Sequence, residues 1–141
     1  MTEQKIHILL VDDDPLMLRL FGARFAEAGY EVLPAHDGNE GREMARRLHP
    51  DLIMLDMRMP VMDGLETLSR MKAEEPTQDI PVILFTNEDL SIEAQKSAQE
   101  LGASGYIHKG DVFENILKKV QEVLGAEKAV TSPDSPTLAM S

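Results

Sequence analysis

Short runs of apolar residues alternate along the chain with longer stretches in which apolar residues recur every three or four positions. The apolar runs predict strands at residues 6–11, 31–35, 52–55, 81–85 and 105–108. The periodic stretches predict helices from residue 16 to near residue 29 and at residues 39–48, 65–74, 91–101 and 111–124. Five strands that alternate with five helices are typical of an α/β domain with a doubly wound parallel sheet.

Polar residues and prolines mark where these elements begin. Asp14 followed by Pro15 suits a helix start, because Asp accepts from free backbone N–H groups and Pro fits the first helical position. Ser91 and Asp111 are predicted to cap the last two helices. Pro34 cannot donate to a sheet ladder, so the strand at 31–35 is expected at an edge.

Length and composition limit the possible classes of protein. The chain has 141 residues, 43% of them hydrophobic, which suits one domain with a single buried core. It has no cysteine, which excludes disulfides and thiol chemistry. The net charge of −11 makes nucleic acid a poor partner. No stretch approaches the roughly 18 apolar residues of a membrane span, and no apolar leader opens the chain, so a soluble, cytoplasmic protein is expected.

The composition changes after residue 125. Residues 126–141 are rich in Ser, Thr, Pro and Ala and have no apolar period, so they predict a disordered tail. Residues 1–125 are predicted to form the folded domain. Because little sequence follows the last helix, we expect a stand-alone domain without a DNA-binding or catalytic output domain.

Four of the predicted strands end in residues that carry chemistry. Asp12 and Asp13 follow the first strand, Asp56 the third, Thr86 the fourth and Lys109 the fifth. Ligands of open α/β sheets bind beyond the carboxyl ends of the strands, so these side chains are expected to converge.

Two interpretations of the acidic run at residues 12–14 follow. Like charges repel, so the run is either a solvated acidic turn or a site for a hard cation such as Mg²⁺. In the second case Asp13 and Asp56 are predicted to ligate the cation, with Asp12 behind it. Asp56 is then the candidate nucleophile for a phosphoryl group, and Lys109 and Thr86 are candidate donors to its oxygens.

The motifs LLVDDDP, LIMLDMRMPVMDG, ILFTNED and SGYIHKG occur in this order and together resemble the receiver domain of two-component response regulators, over residues 5 to about 125. The resemblance implies a flavodoxin-like sheet with strand order 2-1-3-4-5. It implies that Asp56 accepts a phosphoryl group from the phosphohistidine of a sensor histidine kinase or a histidine phosphotransfer protein. It also implies Mg²⁺ held by Asp13, Asp56 and the main-chain carbonyl of Arg58.

The resemblance further implies a switch. Thr86 would move toward the phosphoryl group, Tyr106 would turn inward, and the surface of the fourth helix, fifth strand and fifth helix would be remodelled for a downstream protein. Such a domain catalyses only its own phosphorylation and dephosphorylation.

The chain departs from the family pattern at two positions. Gly110 follows Lys109 where Pro is common, and a trans bond is expected there because a non-proline cis bond costs about 2.5–4 kcal/mol. Asn87 stands where a small residue is usual after the switch Thr. Arg58 and Glu88 flank the site and are predicted to be able to pair. Strand alternation predicts that His108, which precedes Lys109, points its side chain away from that of Lys109.

Other functions fit the sequence less well. A phosphatase with a D-x-D motif would need a cap, for which no insertion is long enough. A flavodoxin would need a hydroxyl- and glycine-rich phosphate loop in place of VDDDP. A receiver-like interaction module that works without phosphorylation stays open as the alternative.

Overall fold

The apolar runs of the sequence form the strands of one parallel sheet. The computed structural model describes residues 4–59 and 62–131. The elements in chain order are β1 (His7–Val11), α1 (Pro15–Glu27), β2 (Glu31–Ala35), α2 (Gly38–Leu48), β3 (Leu52–Leu55), α3 (Gly64–Ala73), β4 (Val82–Thr86), α4 (Ile92–Glu100), β5 (Gly105–His108) and α5 (Phe113–Thr131).

The strand order is β2-β1-β3-β4-β5, and every neighbouring pair is parallel. This confirms the predicted flavodoxin-like α/β fold. Pro34 lies opposite Leu10 in the edge strand β2, as its missing N–H required. The order reverses direction between β1 and β3, so the carboxyl ends of these two strands form the switch point where ligands of such sheets bind.

The sheet is covered on both faces, which explains why its central strands are continuously apolar. Ile8 and Leu10 of β1 contribute to a buried cluster with side chains of α1 and α5. Leu9 and Val11 point to the other face and contribute to a cluster with α2, α3 and α4. Alternate residues of one strand therefore anchor both helical layers and fix the strand that leads into the acidic run.

Four helices begin at side-chain caps, two of which the sequence predicted. Asp14 accepts a hydrogen bond from Leu16 at 2.9 Å, and Ser91 accepts one from Ala94 at 3.1 Å. Asp37 and Asp63 cap α2 and α3 in the same way. The prediction for Asp111 was displaced by one position: α5 begins at Phe113, and the Asp111 carboxylate accepts from the Val112 amide just outside the helix.

The last helix is longer than predicted. It was expected to end at Leu124, but it continues to Thr131. The residues beyond Leu124 include Ala126, Glu127, Lys128 and Ala129, which are good helix formers. The rest of the predicted tail, residues 132–141, lies outside the described residues. None of the described helices is long and apolar enough to cross a membrane.

Candidate functional site

Neighbouring strands bring the predicted site residues together. The Asp56 amide donates to the Val11 carbonyl at 3.0 Å, which ties the end of β3 to the end of β1. The Asp12 amide donates to Ala35 at the end of β2, also at 3.0 Å. A cleft of about 320 Å³ opens above these ends, and its lining includes Asp12, Asp13, Asp56, Arg58, Thr86 and Lys109.

Three carboxylates meet in this cleft. Asp12, Asp13 and Asp56 each offer an oxygen, and these oxygens all lie within 4.8 Å of one another. Asp12 and Asp56 are buried, with 2% and 7% of their surface exposed, whereas Asp13 is exposed. An all-oxygen donor set that is open on one side fits a hard divalent cation that keeps some of its water. The simple solvated turn that the sequence left open for residues 12–14 does not describe the buried Asp12.

The environment of Asp56 disfavours its charge. Burial raises the pKa of this carboxyl above its ordinary value, and the neighbouring Asp12 charge raises it further. The Lys109 ammonium and hydrogen bonds from the Arg58 amide and the Thr86 hydroxyl oppose that rise in the pKa without overcoming it. Because burial destabilises the charged form of Asp56, a cation bound beside this carboxylate would stabilise it strongly.

Lys109 lies inside the cleft and not above it. Its ammonium contacts a carboxylate oxygen of Asp12 and lies 3.5 Å from Asp56 Oδ2. Its side chain is only 5% exposed. Its own backbone amide donates to the Thr86 carbonyl at 2.8 Å, which joins β5 to β4 at the cleft. The predicted donor Lys109, which follows β5, therefore lies beside the carboxylates that follow β1 and β3.

Thr86 and Tyr106 are joined through one residue that the sequence did not single out for this role. The Thr86 hydroxyl accepts from the Glu88 amide at 3.2 Å, and the Tyr106 hydroxyl donates to the Glu88 carbonyl at 2.7 Å. The main chain at Glu88 is thus held from both sides. Thr86 is buried at the carboxyl end of β4, and Tyr106 is half-buried on β5.

The outer rim of the cleft is formed by Arg58 and Glu88. Their side chains form an ion pair, as the sequence indicated, and 82% of the Arg58 side chain remains exposed. Asn87 lines the same cleft. The use of the Arg58 carbonyl as a cation ligand stays a prediction.

Close packing against the backbone of Asp56 explains why residue 64 is a glycine. Gly64 begins α3, and its amide donates to the Met57 carbonyl at 2.9 Å. A Cβ at this position would lie 2.8 Å from the Met57 Cα and closer still to the Asp56 carbonyl. Glycine therefore lets the start of α3 press against the backbone that carries Asp56. Helix contacts of this kind leave no signal in hydrophobic periodicity.

The chain is similar to a known protein family and to longer regulatory proteins. The response regulator receiver domain family matches residues 8–121. The DNA-binding dual master transcriptional regulator RpaA of Synechocystis is 38% identical over 117 residues, which are 83% of this chain and 48% of that protein. The chain spans about half the length of curated relatives of this kind.

Two solved structures show the same fold. Chemotaxis protein CheY4 of Vibrio cholerae is 31% identical with a TM-score of 0.79, over 85% of this chain and 99% of that chain. The receiver domain of sensor histidine kinase PA1611 from Pseudomonas aeruginosa is 27% identical with a TM-score of 0.77, over 86% of this chain and 99% of that chain. That second structure has a magnesium ion coordinated in its active site cleft.

Proposed function

The chain belongs to the response regulator receiver domain family, and from this premise we propose that Asp56 accepts a phosphoryl group from a phosphohistidine. The observation that carries the proposal is the meeting of three carboxylates and one buried ammonium in a single cleft. The Asp56 carboxylate has two donors beside it, the Lys109 ammonium at 3.5 Å and the Thr86 hydroxyl.

Asp12, Asp13 and Asp56 are the residues that would hold Mg²⁺, with the Arg58 carbonyl as a further oxygen ligand. The close approach of three carboxylate oxygens and the pKa of Asp56, which burial and the Asp12 charge raise, support this assignment. Bound there, Mg²⁺ supplies positive charge that offsets the repulsion between an anionic nucleophile and an anionic phosphoryl group.

In the proposed transfer, an Asp56 carboxylate oxygen forms a bond to phosphorus while the phosphorus–nitrogen bond of the phosphohistidine breaks. The imidazole of the donor leaves with the electron pair of that bond. Lys109 and Thr86 donate to phosphoryl oxygens, which replaces the contacts they make with carboxylates in the free protein. The chain is thus proposed to act as a phosphoacceptor signalling domain that catalyses only its own phosphorylation and dephosphorylation.

The readout we propose passes through Glu88. Movement of Thr86 toward a phosphoryl oxygen withdraws the acceptor of the Glu88 amide, and Tyr106 holds the Glu88 carbonyl. The connection between β4 and α4 therefore responds to the phosphoryl group, and the face made by α4, β5 and α5 is the proposed contact for a downstream protein. A sensor histidine kinase or a histidine phosphotransfer protein is the proposed donor, and the cytoplasm is the proposed location of the chain.

Acetyl phosphate with Mg²⁺, followed by intact mass measurement, tests the acceptor. We expect the mass of one phosphoryl group to be added to the wild type and to Asp79→Asn, which changes an exposed carboxylate before β4 at the other end of the sheet. Asp56→Asn is expected to gain nothing, and chelation of Mg²⁺ with EDTA is expected to stop the wild-type reaction. A phosphoryl group that persists in Asp56→Asn would reject the assignment. No added mass in the wild type would favour the phosphorylation-independent interaction module.

A further inference from the structure

We infer that the His108 side chain positions Lys109 by accepting a hydrogen bond from the Gly110 amide. The Gly110 nitrogen lies 2.8 Å from His108 Nδ1. The two partners flank Lys109 directly in the chain, so this hydrogen bond closes a small ring around the lysine backbone. The inference rests on the proposed function, because it concerns the donor that Asp56 is proposed to use.

The turn after β5 depends on His108 for two of its acceptors. The Lys109 amide donates to the Thr86 carbonyl at 2.8 Å, and the Asp111 amide donates to the His108 carbonyl at 3.1 Å. Between them, the Gly110 amide has the His108 ring as its acceptor. Each of three successive amides is therefore fixed, and the ring of His108 fixes the one that follows Lys109.

The contact also defines the tautomer of the His108 ring. Because Nδ1 accepts a hydrogen bond, it carries a lone pair, and the proton of the neutral imidazole is on Nε2. His108 Nε2 lies 3.4 Å from Asp89 Oδ1 in the connection between β4 and α4. Asp89 is almost fully exposed, at 97%, so it orients the ring weakly and the Gly110 amide is the main constraint.

Gly110 matches this role in two ways. It supplies an N–H that proline, common at this position in the family, does not have. It also leaves room for the ring, since a Cβ at position 110 would lie only 3.1 Å from His108 Nδ1 and Cε1. The histidine and the glycine are thus complementary, and together they fix a backbone that is here in the trans form.

The consequence reaches the buried end of Lys109. Its ammonium is 3.5 Å from Asp56 Oδ2 and contacts Asp12, so its donor geometry depends on where its Cα is held. Loss of the His108 contact would let the turn sample other positions. We expect phosphorylation of Asp56 to slow by about 3- to 10-fold, which corresponds to the loss of one neutral hydrogen bond.

Two substitutions at position 108 separate the effect of the lost hydrogen-bond acceptor from the effect of side-chain size. His108→Phe keeps a planar ring but removes the acceptor, whereas His108→Asn introduces a side-chain oxygen that can accept from the amide two residues later, as in an Asx turn. Using acetyl phosphate and Mg²⁺, we expect His108→Phe to be phosphorylated about 3- to 10-fold more slowly than wild type and His108→Asn to recover most of the rate. Equal rates for wild type and His108→Phe, or equally slow rates for both variants, would overturn the inference.

Nitrogen-15 NMR of the wild-type histidines gives a readout that needs no phosphorylation. We expect His108 to have its proton on Nε2 and a coupling between Nδ1 and the Gly110 amide. A protonated Nδ1 at neutral pH would overturn the inference even if His108→Phe does not fold. An unphosphorylated wild type with the expected NMR signature would instead count against the proposed function and leave the His108–Gly110 contact established.

Discussion

Lys109 lies closer to Asp12 than to Asp56. Its ammonium contacts Asp12, while Asp56 Oδ2 is 3.5 Å away. All three side chains are buried. The Lys109 ammonium therefore interacts with two carboxylates and lies closer to Asp12, which is not the proposed phosphoacceptor. Burial, with the Asp12 charge adding to it, keeps the pKa of Asp56 above its ordinary value although Lys109 lowers it.

Replacing Lys109 by methionine should destabilise the protein. The change leaves two buried carboxylates without their cation, and breaking a buried pair in this way costs about 3 kcal/mol of unfolding free energy. Urea denaturation at neutral pH measures the difference. Lys118→Met, an exposed position on α5, serves as the matched control and should change stability by less than about 0.5 kcal/mol. Equal effects at the two positions would show that the Lys109 contacts do not stabilise the fold.

Asp56→Asn should stabilise the protein at neutral pH without Mg²⁺. Because the folded-state pKa of Asp56 is raised, the protonated form favours folding below the unfolded pKa of about 3.9, and this contribution is lost as the pH rises through the folded pKa. The ionised group therefore opposes folding at pH 7. The advantage of Asp56→Asn should shrink as the pH falls through that pKa, as followed by thermal unfolding. Glu75→Gln, at an exposed position, should show no such trend, and a gain that is constant with pH would contradict this origin.

Mg²⁺ should raise the stability of the wild type. At ten times its dissociation constant it adds about 1.4 kcal/mol to the free energy of unfolding if it binds only the folded state. Asp13→Asn should lose most of this gain while keeping its fold, because Asp13 is exposed. Thermal unfolding with and without Mg²⁺ gives the comparison, with KCl at matched ionic strength as the control. An equal gain in Asp13→Asn would remove Asp13 from the ligand set.

Gly64→Ala should damage the site and the fold together. Its Cβ would overlap the backbone of Asp56 and Met57, and such overpacking costs about 1–3 kcal/mol. The control is Gly125→Ala, whose Cβ meets nothing within 4 Å. That position lies inside α5, so the control should gain about 0.5–1 kcal/mol of unfolding free energy. Neutral behaviour of Gly64→Ala in chemical denaturation would show that the start of α3 can move away at no cost.

The sequence predicted most of the fold because the local signals agreed with one another. Continuous apolar runs marked the buried strands, Pro34 marked the edge, and Asp14 and Ser91 marked helix starts. The same signals failed at α5, where the loss of an apolar period after residue 125 suggested an end, although the helix continues to Thr131. A helical turn whose sequence carries no apolar period cannot be detected from periodicity.

The site was predicted as a set of residues but not as a set of contacts. Strand ends showed that Asp12, Asp56 and Lys109 would meet, because parallel strands end at one edge. They could not show that Lys109 contacts Asp12 more closely, or that the main chain of Glu88 links Thr86 to Tyr106. Those facts depend on side-chain directions and on loop backbones, which no spacing rule contains.

The hydrogen bond from the Asp56 amide to the Val11 carbonyl has a kinetic consequence. The sheet itself holds Asp12 and Asp56 side by side, so these two carboxylates are already in place when an ion enters. The time needed to load the cleft is then set by how fast the ion sheds its water, a property of the metal. Smaller and more tightly hydrated ions should load more slowly than larger ones, whatever their final affinity.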